Sequence, residues 1–301
     1  MMLRILVVAV FFAAAAAAEN VILEPGAELE TLSEEFSFTE GPIADAEGNV
    51  YFTDQPNDRI MKWSLNGEIT TWMQPSGRSN GMYFDADGML WSCADEKNQL
   101  WKIAPDKTVT VVVDGRHEGK RLNGPNDVWV RPDGGAYFTD PFYKRPWWDH
   151  EEQEQPVRGV YYVPPGGNEL VLVDGEMQQP NGIIGTPDGK TLYVSDISGR
   201  ETYSYTINDD GTLSDKTLFC EMGSDGMTID NRGNVYLTNN GVFVFDKSGE
   251  QIEHIEAPGN WTANVCFGGE DRKWLFITAT KGLYRIRTQV NGVCNYQAEG
   301  E

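Results

Sequence analysis

The chain has 301 residues, 40% hydrophobic and 11% aromatic, enough apolar material for a large core, which excludes a disordered chain, a coiled coil and a small disulfide-stapled scaffold. Its 32 Gly and 15 Pro punctuate segments rich in Tyr, Trp, Phe, Val and Thr, a pattern of many short strands rather than of helical bundles. Forty-six acidic residues against 24 basic ones give a net charge of −22, a field that repels nucleic acid and anionic lipid and favours neutral substrates or bound cations.

Met1 to Ala18 has the form of a secretory signal: Arg4 near the start, an apolar run from Ile5 to Ala18, and small residues up to a cut at Ala18/Glu19. That run falls short of the ~20 residues a spanning helix requires, and no second one follows. The expectation is therefore an exported protein with no membrane segment after cleavage, whose single domain occupies 19–301, in the periplasm or outside the cell.

From there one phrase recurs six times: a turn with Asp and Gly, then an aromatic or aliphatic strand ending in a small polar residue. The copies begin at Asp45, Asp85, Pro132, Pro187, Asp230 and Glu270. Their turn residues, Gly48, Gly88, Gly134, Gly189, Gly233 and Arg272, stand about 40 to 55 residues apart, room for four short strands each, which predicts an all-β, six-bladed propeller. The third interval carries the longest insertion, Phe142 to Gly159, with Trp147, Trp148, His150 and Glu151 to Glu154. A loop this long and aromatic is either a rim over a site or a solvated loop pinned by its aromatics. Four cysteines, Cys93, Cys220, Cys266 and Cys294, allow three pairings; Cys93 and Cys266, inside apolar runs, also read as buried free thiols.

Eight residues before each turn residue stand Glu40, Asn80, Asn126, Asn181, Asp225 and Asn264, each a carboxylate or a carboxamide. The innermost strand of a blade lines the central channel, so equivalent positions form a ring around the axis. Two carboxylates and four amides without His or Cys are hard oxygen donors, suited to Ca²⁺ or another hard divalent cation in the channel and poorly matched to Zn²⁺. The alternative is that Asn, Asp and Gly only mark strand entrances. The motif Gly77-Arg-Ser-Asn-Gly81 matches a nucleophile elbow on paper but lacks the strand-to-helix context and a His partner. Asn260-Trp-Thr262 is a glycosylation sequon, meaningful in a eukaryotic secretory host.

The phrases Glu40-Gly-Pro42, Asn123-Gly-Pro-Asn-Asp127, Phe138-Thr-Asp-Pro141, Pro180-Asn-Gly182, Ser224-Asp-Gly-Met227 and Asn264-Val-Cys-Phe-Gly-Gly269 resemble those of the gluconolactonase, regucalcin (senescence marker protein) and diisopropyl-fluorophosphatase-like six-bladed propellers, the bacterial gluconolactonase branch most of all. The resemblance implies a catalytic calcium on Glu40, Asn126, Asn181 and Asp225, with Asp225 also the acid/base or nucleophilic group, and hydrolysis of a small lactone, a sugar lactone above all. Some sugar-lactonase members have Arg two residues before the third-motif Asn; here that residue is Gly124, with Arg121 and Asn123 nearby. Asn80, Arg121, Asn123, Asn264, Trp147 and Trp148 are accordingly candidates for the substrate side of the site. Two further readings stay open: phosphotriester hydrolysis at the same residues, and a non-catalytic binding propeller with a structural ion.

Overall fold

The computed structural model describes residues 21–167 and 169–293; the signal segment Met1 to Ala18 and Cys294 lie outside them. Six four-stranded antiparallel sheets are arranged as the blades of a propeller. The first five are continuous in sequence, over 39–73, 79–113, 128–174, 180–220 and 227–255. The sixth takes its three inner strands, Thr262–Gly268, Trp274–Ala279 and Gly282–Arg287, from the end of the chain and its outer strand, Glu30–Ser33, from the beginning. Among the described residues no helix is long and apolar enough to cross a membrane.

Each recurring phrase is the hairpin between the first and second strands of a blade. In three of them the leading aspartate caps the turn: Asp45 Oδ1 accepts from the Glu47 and Asn49 amides, Asp85 Oδ1 from Asp87 and Met89, and Asp230 Oδ1 from Arg232 and Asn234. The turn residue needs a left-handed backbone, with φ between 68° and 98° at the five glycines and 52° at Arg272. Arg272 accepts that strain where its guanidinium donates to the backbone carbonyls of Asp45 and Ala46, tying the sixth blade to the first.

Second strands such as Val50–Asp54, Leu90–Ala94 and Ala136–Asp140 are buried along their whole length, because a blade's two faces both pack on neighbouring blades. Their apolar residues therefore run without alternation. The small polar residue near the end of each, Thr53, Ser92, Thr139, Ser195, Thr238 or Thr278, has no exposed surface. Three of these hydroxyls cross to the next blade: Thr53 donates to the Asn80 carbonyl at 3.3 Å, Thr139 to Asn181 at 2.7 Å and Thr238 to Ala263 at 2.9 Å.

Cys93, Cys220 and Cys266 are buried free thiols, and burial raises the pKa of each, that of Cys220 to about 11; they act as small hydrophobes.

The closing blade depends on the chain's early residues. Three pairs join Glu30–Ser33 to the strand beside it, Arg285 pairs with Glu30 at 2.7 Å, and Ile22, wholly buried, packs among Tyr236, Val265, Ile286 and Val290. Ile22→Ala should therefore cost about 2–5 kcal/mol and, at roughly 2–4 °C per kcal/mol for a domain of this size, lower the melting temperature by about 4–20 °C. Thermal unfolding followed by circular dichroism checks this, and an unchanged melt would show that the segment does not hold the sixth blade closed.

Candidate active site

The six ring residues are all buried and stand where each inner strand begins. At that level four inner strands break register, between Glu40 and Ile43, Ser79 and Met82, Pro180 and Ile183, and Thr262 and Asn264, and in the third and fifth blades regular pairing starts only at Val128 and Met227. Such breaks re-aim side chains.

The position after each ring residue is Gly in four blades for a steric reason. A Cβ on Gly41 would lie 2.1 Å from the Asn80 carbonyl oxygen, one on Gly182 2.4 Å from the Asp225 carbonyl oxygen, and one on Gly226 1.9 Å from the Asn264 carboxamide. The third blade has Asp127 there instead, and its carboxylate fills the room that Gly81 leaves, 2.2 Å from where a Gly81 Cβ would be. Asn264 Nδ2 donates to Glu40 Oε2 at 3.3 Å, linking the last blade to the first.

Three carboxylates thus share a buried region. Burial raises Glu40 well above the usual carboxylate range, and the charges of Asp225 and Asp127 add to it. Burial likewise pushes Asp127 up to about 8, with Asp225 adding to it. Asp225 is pushed up to about 6 by burial, against the Trp261 indole, which donates to its Oδ2 at 2.5 Å, and against Asn181 and Arg145. Three crowded anions would be eased by a cation. The residues fit a hard one: the donors are all oxygen, and Asn80 Oδ1 is buried without a hydrogen-bond partner. Among the described residues no three His, Cys, Asp or Glu side chains gather into a metal site by themselves, so a cation would rest on the carboxamides too.

Below the ring the channel is nearly filled. The cavity lined by Pro42, Met82, Asp127, Met227 and Asn264 holds about 20 Å³, roughly one water. Approach is from the other side, where the second strand of each blade ends, and there the Phe142 to Gly159 insertion leaves the third blade after Asp140. It reaches the ring through Tyr143, whose hydroxyl accepts from Asn181 Nδ2 at 2.9 Å.

The aromatic pair sits farther out. Trp147 lies against Arg78 and Arg145, with guanidinium carbons 4.6 and 5.7 Å from its ring centroid. Trp148 packs on Phe142 and His150 and donates to the Asp95 carbonyl at 2.7 Å. Arg121 and Asn123 brace the insertion: Arg121 pairs with Glu154 at 3.0 Å, and Asn123 Nδ2 donates to the carbonyls of Asp140 and Val157 at either end of the loop. No hydrogen bond or ion pair connects either residue with the ring. Ser79 is no exposed nucleophile; its buried hydroxyl donates to the Ser76 carbonyl, accepts from Ser92 and leads into a strand.

The residues 38–281 match the family model described as the SMP-30/Gluconolactonase/LRE-like region. A gluconolactonase of Zymomonas mobilis is 30% identical, the match covering 91% of this chain and 85% of that one. A diisopropyl-fluorophosphatase of Loligo vulgaris is 25% identical over 88% and 93%. Among solved structures, a gluconolactonase from Xanthomonas campestris superposes with a TM-score of 0.82 at 30% identity, covering 91% and 92%. A calcium-binding regucalcin from Agrobacterium tumefaciens, at 19% identity and TM-score 0.75 over 91% and 98%, shares the fold.

Tyr143 is the insertion's hydrogen-bonded link to the ring. If that link positions the rim, Tyr143→Phe, which removes only the hydroxyl, should lower kcat/KM on an accepted substrate about fivefold, the equivalent of roughly 1 kcal/mol for one hydrogen bond, with the melting temperature kept. Steady-state kinetics beside a thermal melt test this, and unaltered kinetics would make the contact incidental.

Proposed function

The chain belongs to the SMP-30/gluconolactonase/LRE-like family, and on that premise we propose that it is a calcium-dependent hydrolase of lactones, sugar lactones in particular. The observation that carries this reading is the ring of six buried oxygen-bearing residues, with Glu40, Asp127 and Asp225 crowded within it. Glu40, Asn126, Asn181 and Asp225 would hold the cation. When bound, it would supply Lewis acidity to the lactone carbonyl oxygen and ease the negative charge that builds there.

The chain's own groups supply the rest. Asp225 is buried and its Oδ2 is held by the Trp261 N–H, which fixes its carboxylate for either of two roles. Either it takes a proton from water as the water oxygen bonds to the carbonyl carbon and returns that proton to the ring oxygen as the C–O bond breaks, or it attacks that carbon directly, the ring oxygen leaves with a proton taken from water, and the hydroxide so formed hydrolyses the resulting anhydride, freeing Asp225 and the hydroxy acid. Tyr143 orients Asn181, and the packing below the ring keeps bulk water to one side. A phosphotriester as alternative substrate is supported by the likeness to the Loligo enzyme. Export by way of Met1 to Ala18 is part of the same proposal.

The deciding experiment assays aldonolactones against phosphotriesters with calcium present, after chelation and after calcium is restored. Lactone turnover that chelation abolishes and calcium restores is expected, together with a lower melting temperature for the stripped protein. Full activity after chelation would remove the metal from the reading, and turnover of phosphotriesters alone would move the substrate class. Asp225→Asn keeps an oxygen donor and removes the base or nucleophile, so kcat should fall by about 10³-fold or more while calcium still binds; near-normal turnover would leave Asp225 a ligand only.

A further inference from the structure

A row of contacts leads outward from the ring: Asn181 to the Tyr143 hydroxyl at 2.9 Å, the Arg145 guanidinium over the Tyr143 ring at 5.4 Å and near Trp147 at 5.7 Å, and the Arg78 guanidinium over the Trp147 ring at 4.6 Å. Arg78 stands two residues before the ring residue Asn80, and Tyr143, Arg145 and Trp147 are on the insertion, so the whole row belongs to the open side.

The outer part of this row offers only donors. Arg78 Nε and Trp147 Nε1 are buried and have no hydrogen-bond partner, each a loss that folded proteins seldom tolerate without cause. The Arg78 side chain donates only from one terminal nitrogen, to the Pro56 and Gln55 carbonyls, and that of Arg145 only from Nε, to Asp95. The second amino group of Arg78 and both of Arg145 are unpaired among the described residues. Asp95 pairs with Arg145, and Arg145 also acts on Asp225, so what the row offers is spare N–H groups and not a surplus of charge.

The backbone of Arg78 is held in the left-handed region, φ 52°, by its own amide donating to Asp58 Oδ1 at 2.7 Å. That bond sets the direction in which the Arg78 side chain leaves the loop, toward Trp147. In a chain of net charge −22, two guanidinium groups flanking one indole, with spare N–H groups, form the complement of an acceptor-only group.

We propose that Arg78, Trp147 and Arg145 form a subsite for an oxyanion carried by the substrate at the end remote from its lactone carbonyl, so that the favoured substrates are anionic lactones. The proposal rests on the lactone-hydrolase reading for the reacting end, and it departs from the neutral-substrate expectation drawn from net charge alone: the local donors, not the overall field, would meet the substrate's tail.

The test compares kcat/KM for glucono-1,5-lactone and 6-phosphoglucono-1,5-lactone in the calcium-loaded full chain, in Arg78→Gln, Arg78→Lys and Arg145→Gln. The wild type should favour the phosphorylated lactone at least tenfold. Arg78→Gln and Arg145→Gln should each cut that preference about tenfold, chiefly through KM, and Arg78→Lys, which keeps the charge without the fork, should retain more of it than Arg78→Gln. A preference for the neutral lactone, or variants that slow both lactones equally, would overturn the subsite.

A binding arm separates this from the chemistry, with thermal melts confirming that each variant is folded. Tryptophan fluorescence titrated with 6-phosphogluconate, gluconate or inorganic phosphate should report tighter binding of 6-phosphogluconate, weakened in Arg78→Gln. Should neither lactone turn over, the hydrolase reading fails, and this arm still decides the subsite: equal binding of gluconate, equal binding of free phosphate, or no binding would each refute it.

Discussion

The dominant constraint on this molecule is how closely six inner strands must approach at the axis. A carbonyl oxygen of one blade lies where a side chain of the next would begin, at Gly41 against Asn80 and at Gly182 against Asp225. With no space for a side chain, the contact is made by backbone and by short hydroxyls reaching across, as from Thr53 and Thr139. Every polar group at this level is out of water, so each must find a partner or remain costly. Most do: Thr238 Oγ1 accepts from the Gly226 amide and donates to the Ala263 carbonyl. The exceptions, the unpartnered Asn80 oxygen and the crowded carboxylates, stand on the ring itself, and a site is most credible where a tightly satisfied structure leaves such debts unsettled.

What the sequence made legible follows from the same constraint. Blades that must all fit one axis repeat the same solution, so the Asp–Gly turn, the buried strand and the oxygen-bearing residue eight positions earlier recur at one offset, and counting offsets finds six blades and six ring residues. The small polar residue closing each second strand was visible too; its purpose, a hydroxyl that joins blades, needed the structure.

What counting misses is whatever differs between blades. Asp127 follows Asn126 where other blades have Gly41, Gly81, Gly182, Gly226 and Val265; that departure was a readable signal, since an acid in a column of glycines has to occupy space that a neighbour vacates. Trp261, inside a sequon that drew attention for glycosylation, donates to Asp225. Tyr143, Arg145 and Arg78 come together across 65 or more positions of sequence, and no periodicity marks them. Arg121 and Asn123 lay near a motif in sequence, yet their bonds with Glu154 and with the carbonyls of Asp140 and Val157 turn them to the support of the insertion.

The division between repeat and departure is also a division of labour. Repeated features fix the axis and can vary little: enlarging Gly81 would drive a carbon into Asp127 and the Asn126 carbonyl at once. Apart from Asp127 at the axis, the departures lie on the open side, in the connection after Asp140 and in the loop before Asn80, where added length meets solvent and not another blade. Change there costs little stability because loops close with only slowly growing entropy. Acidic groups crowd within the ring, and the guanidinium groups of Arg145 and Arg78 stand beyond it, linked to it through Tyr143. A cation seated in the ring would offset the charge of its carboxylates where a substrate approaches, so on the proposed reading the metal is as much a condition for an anionic substrate to approach as for its carbonyl to react.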